Sequence, residues 1–234
     1  KNMKHQILLV ILKKQQSGMK DTKDALTQAI NTAKGRAIEA LVDYYLRYAK
    51  LAISSKKEKQ NKKINSVSQN AIKKKDDSLE YSVLIGQHLP LLYWIDKDLI
   101  ARNINCIFPK ANPKHWNVAM QGYLFGHKVY DELYKLIRKN NHYLKGVRDR
   151  FEERTAQEYL IQHICIGYLR GLETLSGKDS LFNKFLQSWK EEDIRQIISF
   201  FWGCRDTEEE KIRNKIIKFW DYCYKRLSKS RRTK

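Results

Sequence analysis

The sequence predicts an all-α fold, an irregular array of about ten antiparallel helices arranged as solenoid-like helical hairpins. Three observations carry this expectation. Apolar residues recur at helical spacing almost throughout, and alternating strand patterns are hard to find. Only 3 Pro and 10 Gly punctuate 234 residues, which favours long elements over many short strands and turns. After residue 110 the connections are short, which makes sequential helices antiparallel neighbours.

Taken in order, the expected helices are 3–15, 22–53, 77–89, 95–105, 113–125, 127–139, 151–173, 179–189, 191–203 and 208–229. The first rests on the apolar run Ile7–Leu12, far short of the roughly 20 residues of a membrane span. A basic start before that run mimics a signal peptide, but no small-residue cleavage site follows. The second carries the stripe Leu26, Ile30, Ala33, Ala37, Leu41, Tyr45 and Ala52. Asp77 and Glu80 open the third as a carboxylate cap with Glu three residues on. Asn112-Pro113 places a cap residue and then Pro at the first helical position of 113–125. Thr207 to Glu210 reads as a capping box for the last helix.

Lys34-Gly35-Arg36 interrupts the second helix without breaking its phase. A phosphate-binding loop would need G-x-x-x-x-G-K-[ST] after a buried strand, and neither is present. Gly costs roughly 1 kcal/mol in a helix interior relative to Ala. Close helix approach at Gly35 offsets that cost. Gly35 shares a second face with Val42 and Leu46, so the helix is expected to pack on two sides, with Arg36 on its flank in a structural ion pair.

The segment 54–75 holds eight Lys and one Glu with little apolar periodicity, and reads as an exposed flexible loop. The stretch 225–234 carries six more positive charges and reads as a basic tail. The formal net charge is +20. Clustered Lys is a legitimate footprint for nucleic acid, yet no helix-turn-helix, zinc finger or RNA-binding sheet signature accompanies it. Cys106, Cys165, Cys204 and Cys223 are widely spaced with no C-x-x-C pair, which suits buried free thiols in a reducing cytoplasm.

No catalytic constellation stands out, and none of the six histidines forms an i, i+4 metal pair. Glu152, Glu153, Glu158 and His163 could be drawn as an acid–base set, but acidic residues in a first helical turn are dipole chemistry. Neither a G-x-S-x-G elbow nor a nucleophilic Cys signature occurs. The chain is therefore expected to be no enzyme and to need no cofactor or metal. The five tryptophans, among them Trp116, sit in apolar stripes that serve the core or an interaction surface. The candidate interaction residues are Lys56, Lys57, Lys59, Lys62, Lys63, Trp116 and Tyr123.

Three segments, Asp24–Ala52, Val83–Pro109 and His115–Leu144, resemble parts of very large bacterial antiphage defence proteins. These include STAND NTPases of the Avs group and sirtuin-like NAD-consuming relatives. Asn31-Thr32, Gly35-Arg36-Ala37, Glu39-Ala40-Leu41, Phe108-Pro109, Trp116 and Gly122-Tyr123-Leu124 carry the likeness. The resemblance implies a C-terminal helical-repeat sensor that binds a phage protein and couples to an upstream effector or ATPase, with assembly of the full-length protein. The chain starts with Lys rather than Met, and one helical domain spanning 1–234, part of something longer, is expected. A basic helical nucleic-acid-binding domain, using the loop and tail as phosphate contacts, is the alternative.

Overall fold

The computed structural model describes residues 14–54, 77–126 and 128–232, and among them the chain is all-helical. Eleven helices occur there: α1 Ala25–Ile30, α2 Ala33–Ser54, α3 Leu79–Ile95, α4 Lys97–Ile107, α5 Pro113–Phe125, α6 Asp131–Lys139, α7 His142–Asp149, α8 Arg154–Leu169, α9 Leu181–Ser188, α10 Glu191–Gly203 and α11 Glu210–Arg232. Where the sequence suggests one domain, these helices group into two compact units that divide at Gly126. The expected helix at 3–15 and the lysines of the loop lie outside the described residues.

The first unit is built around α3, which packs on α1, α2, α4 and α5. Its core joins Ala25, Leu26, Ala29, Ile38, Val42, Val83, Leu84 and Val118. Ser78, not Asp77, caps α3, accepting from the Tyr81 N–H at 3.4 Å. Glu80 is fully buried instead of serving that cap. It accepts from Ser17 Oγ at 2.8 Å and from the Gly18 and Met19 N–H groups at 2.6 and 3.2 Å, which pins the entry segment. Helix α3 runs through Pro90, where the sequence suggests a stop. Pro removes one intrahelical bond, and the packing of α3 on four neighbours outweighs that loss. Asn112 caps α5 as expected, with Pro113 in the first turn.

The expected helix 22–53 is two helices. The chain turns at Asn31-Thr32, and Thr32 Oγ1 accepts from the Gly35 N–H at 2.9 Å while donating to the Ala29 carbonyl at 2.9 Å. A Cβ on Gly35 would lie 1.8 Å from the Ala29 carbonyl oxygen. The close approach is real, and its partner is the helix immediately before it in the chain. Gly35, Ala37, Ile38, Leu41 and Val42 are all buried, covering about half the circumference of α2 at roughly 100° per residue. Arg36 is exposed and makes no ion pair among the described residues, contrary to expectation.

The second unit centres on α8, which contacts α7, α9, α10 and α11. Four helices each contribute one aromatic ring to its core. Tyr168 stacks on Phe182 at 4.5 Å, Phe201 meets Phe219 at 4.7 Å, and Phe182 lies 5.9 Å from Phe201. Edge and offset contacts of this kind add to plain area burial. Helix α7 is absent from the sequence reading. It starts after Asn141, whose left-handed φ of 60° makes the sharp joint with α6. Helix α11 starts at Glu210, three residues past Thr207, and the Glu209 carbonyl takes its first helical bond from Arg213. The capping box therefore does not form, and Lys225–Arg232 is helical where a tail is expected.

Candidate interaction surface

Buried polar side chains in this protein fasten helices together. In the second unit, Glu173 accepts from Tyr134 Oη at 2.9 Å, Arg138 Nε at 2.6 Å and the Leu181 N–H at 2.7 Å, at the start of α9. Asp193 takes both Arg150 nitrogens at 2.6 and 2.9 Å. The bond to Asp193 and the charge of that carboxylate raise the Arg150 pKa. His163 sits in the core and bonds Tyr143 Oη at 3.0 Å. Glu158 faces Arg154 at 2.8 Å and Gln196 at 2.9 Å instead. The acid–base set drawn from the sequence is thus divided between a surface ion pair and the core. Among the described residues no group of three His, Cys, Asp or Glu could hold a metal ion.

Cys165 and Cys223 are buried, Cys204 is half-buried and Cys106 is exposed. Burial pushes the Cys165 thiol well above its usual range and raises Cys223 to about 11, which holds both as thiols at neutral pH.

Trp116 and Tyr123 are core residues, with 3% and 1% of their surface exposed. Their place on the buried side of α5 removes them from any interaction surface, a correction to the sequence reading. Tyr123 packs edge-on to Phe108 at 6.1 Å. Lys56, Lys57, Lys59, Lys62 and Lys63 lie outside the described residues.

The apolar surface left to solvent is elsewhere. In the second unit, Trp202 on α10 is 62% exposed, and Ile217, Tyr224 and Leu227 on α11 are 51%, 74% and 53% exposed. The inner face of α11, with Ile216, Phe219 and Cys223, fills the core. Two of its cations lock the helix in place. Lys215 Nζ donates to the Tyr168 carbonyl at 2.6 Å and lies 4.8 Å from the Tyr168 ring, while Tyr168 Oη donates back to the Lys215 carbonyl at 2.8 Å. Arg226 donates to the Leu186 and Gln187 carbonyls at the end of α9 and stacks on Trp189 at 4.4 Å. Free C-terminal carbonyls favour such cationic partners.

With its inner face fixed, α11 turns Ile217, Trp220, Tyr224 and Leu227 outward or to the edge. Their spacing of three, four and three residues was legible in the sequence, but only as helical periodicity. An open groove of about 790 Å³ lies beside the start of the helix, with Val129, Ile166, Leu169 and Ile212 among its lining and Lys128 and Lys211 on it. Arg170 crosses one side, donating to the Val129 carbonyl and pairing with Asp131 at 2.9 Å.

No protein family, curated protein or solved structure matches this chain. No helix among the described residues is long and apolar enough to cross a membrane.

Proposed function

We propose that this chain is a non-enzymatic recognition module, and that it serves as the helical sensor part of a bacterial antiphage defence protein. One observation carries the recognition reading: large apolar side chains stand in solvent on α10 and α11 although the same helices bury a complete aromatic core. Aromatic and aliphatic anchors of this kind dominate binding energy at protein interfaces. The defence role comes from the resemblance of Asp24–Ala52, Val83–Pro109 and His115–Leu144 to the sensor regions of such proteins. In that role the chain works in the cytoplasm, takes a phage protein as ligand and couples to upstream effector or ATPase domains in an assembled full-length protein.

A basic helical nucleic-acid-binding domain is the second reading. It is favoured by the run of cations at 225–232, which continues one helix.

Capture experiments with the tagged chain separate the two. Lysates of infected and uninfected bacteria are compared, each with and without nuclease. A phage protein retained only from infected lysate, and resistant to nuclease and moderate salt, supports the sensor. Capture abolished by nuclease overturns it in favour of nucleic acid.

A further inference from the structure

Residues at the end of α7 and at the starts of α8 and α10 line a small cleft of about 220 Å³. Pockets for drug-sized ligands run from roughly 300 to 1,000 Å³, so this one suits a ligand, or the end of one, of only a few non-hydrogen atoms. Phe151 and Ile161 supply its apolar lining. Its charged residues are Glu152, Glu158, Glu192 and Asp193 against Arg150 and Arg154, a formal charge of 2 − 4 = −2 in a chain of +20.

Most of these groups satisfy one another. Arg150 spends both terminal nitrogens on Asp193. Arg154 Nε and Gln196 Nε2 share Glu158 Oε1. Three groups are left over. Glu152 and Glu192 are exposed and make no hydrogen bond or ion pair among the described residues. The charge of Glu192 acts on both Arg150 and Arg154, which sets it beside the two pairs. The third is Gln157, only 7% exposed, whose Nε2 is buried with no hydrogen-bond partner among the described residues. Its Oε1 accepts from the Phe151 N–H at 3.2 Å, so reversing the carboxamide would set two donors against each other. Nε2 therefore stays a donor. A buried donor without an acceptor carries a free-energy cost that an arriving oxygen removes.

One buried N–H donor and two unpaired carboxylates around a small cavity complement a ligand that holds an oxygen and a cation close together. A metal ion would bring positive charge against the Gln157 N–H. An amine without an oxygen would leave that donor unpaired, and a simple anion would meet the net negative charge of the lining. The cleft widens at little cost, because Arg154, 77% exposed, forms only a surface ion pair with Glu158.

We propose that this cleft binds an α-ammonium group together with its neighbouring carbonyl or carboxylate oxygen, Gln157 Nε2 donating to the oxygen and Glu152 and Glu192 holding the ammonium. A free amino acid and the N-terminus of a polypeptide both present this chemistry. The proposal does not depend on the recognition reading.

The experiment is a titration of the full, nitrogen-labelled chain, read by NMR at the side-chain amide of Gln157, with alanine and with trialanine. N-acetyl-trialanine lacks the ammonium, and ethylamine lacks the oxygen. Saturable shifts are expected with alanine, trialanine or both, and not with the two controls at the same concentrations. A response to alanine alone identifies a free amino acid, and equal or tighter binding of trialanine identifies a chain terminus. The variant Glu152→Gln/Glu192→Gln changes exposed side chains only and is expected to weaken binding by about tenfold. Gln157→Met, its fold verified by circular dichroism and its binding read at the Phe151 amide, is expected to weaken it as well. Absence of a saturable shift with both alanine and trialanine leaves the cleft to water and overturns the proposal. Equal binding of either control overturns it too, as does wild-type affinity in the glutamine pair.

Discussion

Gly86 and Gly122 face each other at the crossing of α3 and α5, each occupying the space that the other helix's backbone requires. A Cβ on Gly86 would lie 2.0 Å from the Ala119 carbonyl oxygen, and one on Gly122 would lie 1.9 Å from that of Val83. Backbone cannot yield as a side-chain tip can, so Gly122→Ala must force the helices apart. The expected loss is about 1–3 kcal/mol of unfolding free energy, read by urea titration. Gly203→Ala is the control, because an added methyl there meets nothing within 4 Å. It should leave stability unchanged or raise it by up to about 1 kcal/mol. Equal effects from the two substitutions would contradict the packing described.

Glu80 holds three donors from the entry segment in a fully buried site. Glu80→Ala leaves Ser17, Gly18 and Met19 without this acceptor, at a cost of about 2–4 kcal/mol. The segment should then open locally. Amide exchange at Gly18 and Met19 and tryptic cleavage after Lys20 should both accelerate, whereas Glu80→Gln, which keeps one acceptor oxygen, should fall between.

Arg150 ends α7 with a positive φ of 57° and reaches Asp193 on α10 with both nitrogens. Asp193 is buried, while Arg150 keeps about a quarter of its side chain in solvent. Asp193→Ala is expected to cost about 2–4 kcal/mol, somewhat less than breaking a fully buried pair, because water reaches the orphaned guanidinium. Arg150→Lys should recover little of the wild-type stability, since a lysine cannot form the two-pronged contact.

Burial lowers the pKa of His88 below 6.5, opposed by the charge of Asp43. Its Nε2 is buried with no hydrogen-bond partner among the described residues. The fold thus holds a neutral imidazole, and the unfolded chain takes the proton first as the pH falls. His88 therefore contributes stability that is present above pH 6.5 and lost as the pH drops through the lowered pKa. Urea midpoints should fall on acidification from about pH 7 to about pH 5, and His88→Gln should flatten that slope. An unchanged slope would exclude His88 as its source.

Of the three helix caps expected from the sequence only Asn112 forms, while Asp77 and Thr207 do not cap their helices. Asn112-Pro113 set the start of α5, and 113–125 and 191–203 match the observed bounds. The break at Asn31-Thr32 was concealed because the apolar phase runs through it, although Thr32 supplies the cap. Helix α7 was missed because its joint depends on the left-handed backbone of Asn141. For the surface, periodicity told which residues share a face of a helix but not which faces the rest of the chain covers. Trp116 and Tyr123 went to the core for that reason, and Ile217, Tyr224 and Leu227 remained outside it.

Recognition of a polypeptide through apolar contact is what we propose for this chain. The most direct test is the retention of a polypeptide captured from infected lysate between about 0.05 and about 0.5 M salt, by the wild type and by the Ile217→Ser/Leu227→Ser pair. Binding by apolar anchors predicts a shallow salt dependence and a large loss in the serine pair at every salt concentration. A steep decline with salt, unaffected by the serine pair, is the signature of a polyelectrolyte site and would contradict the account.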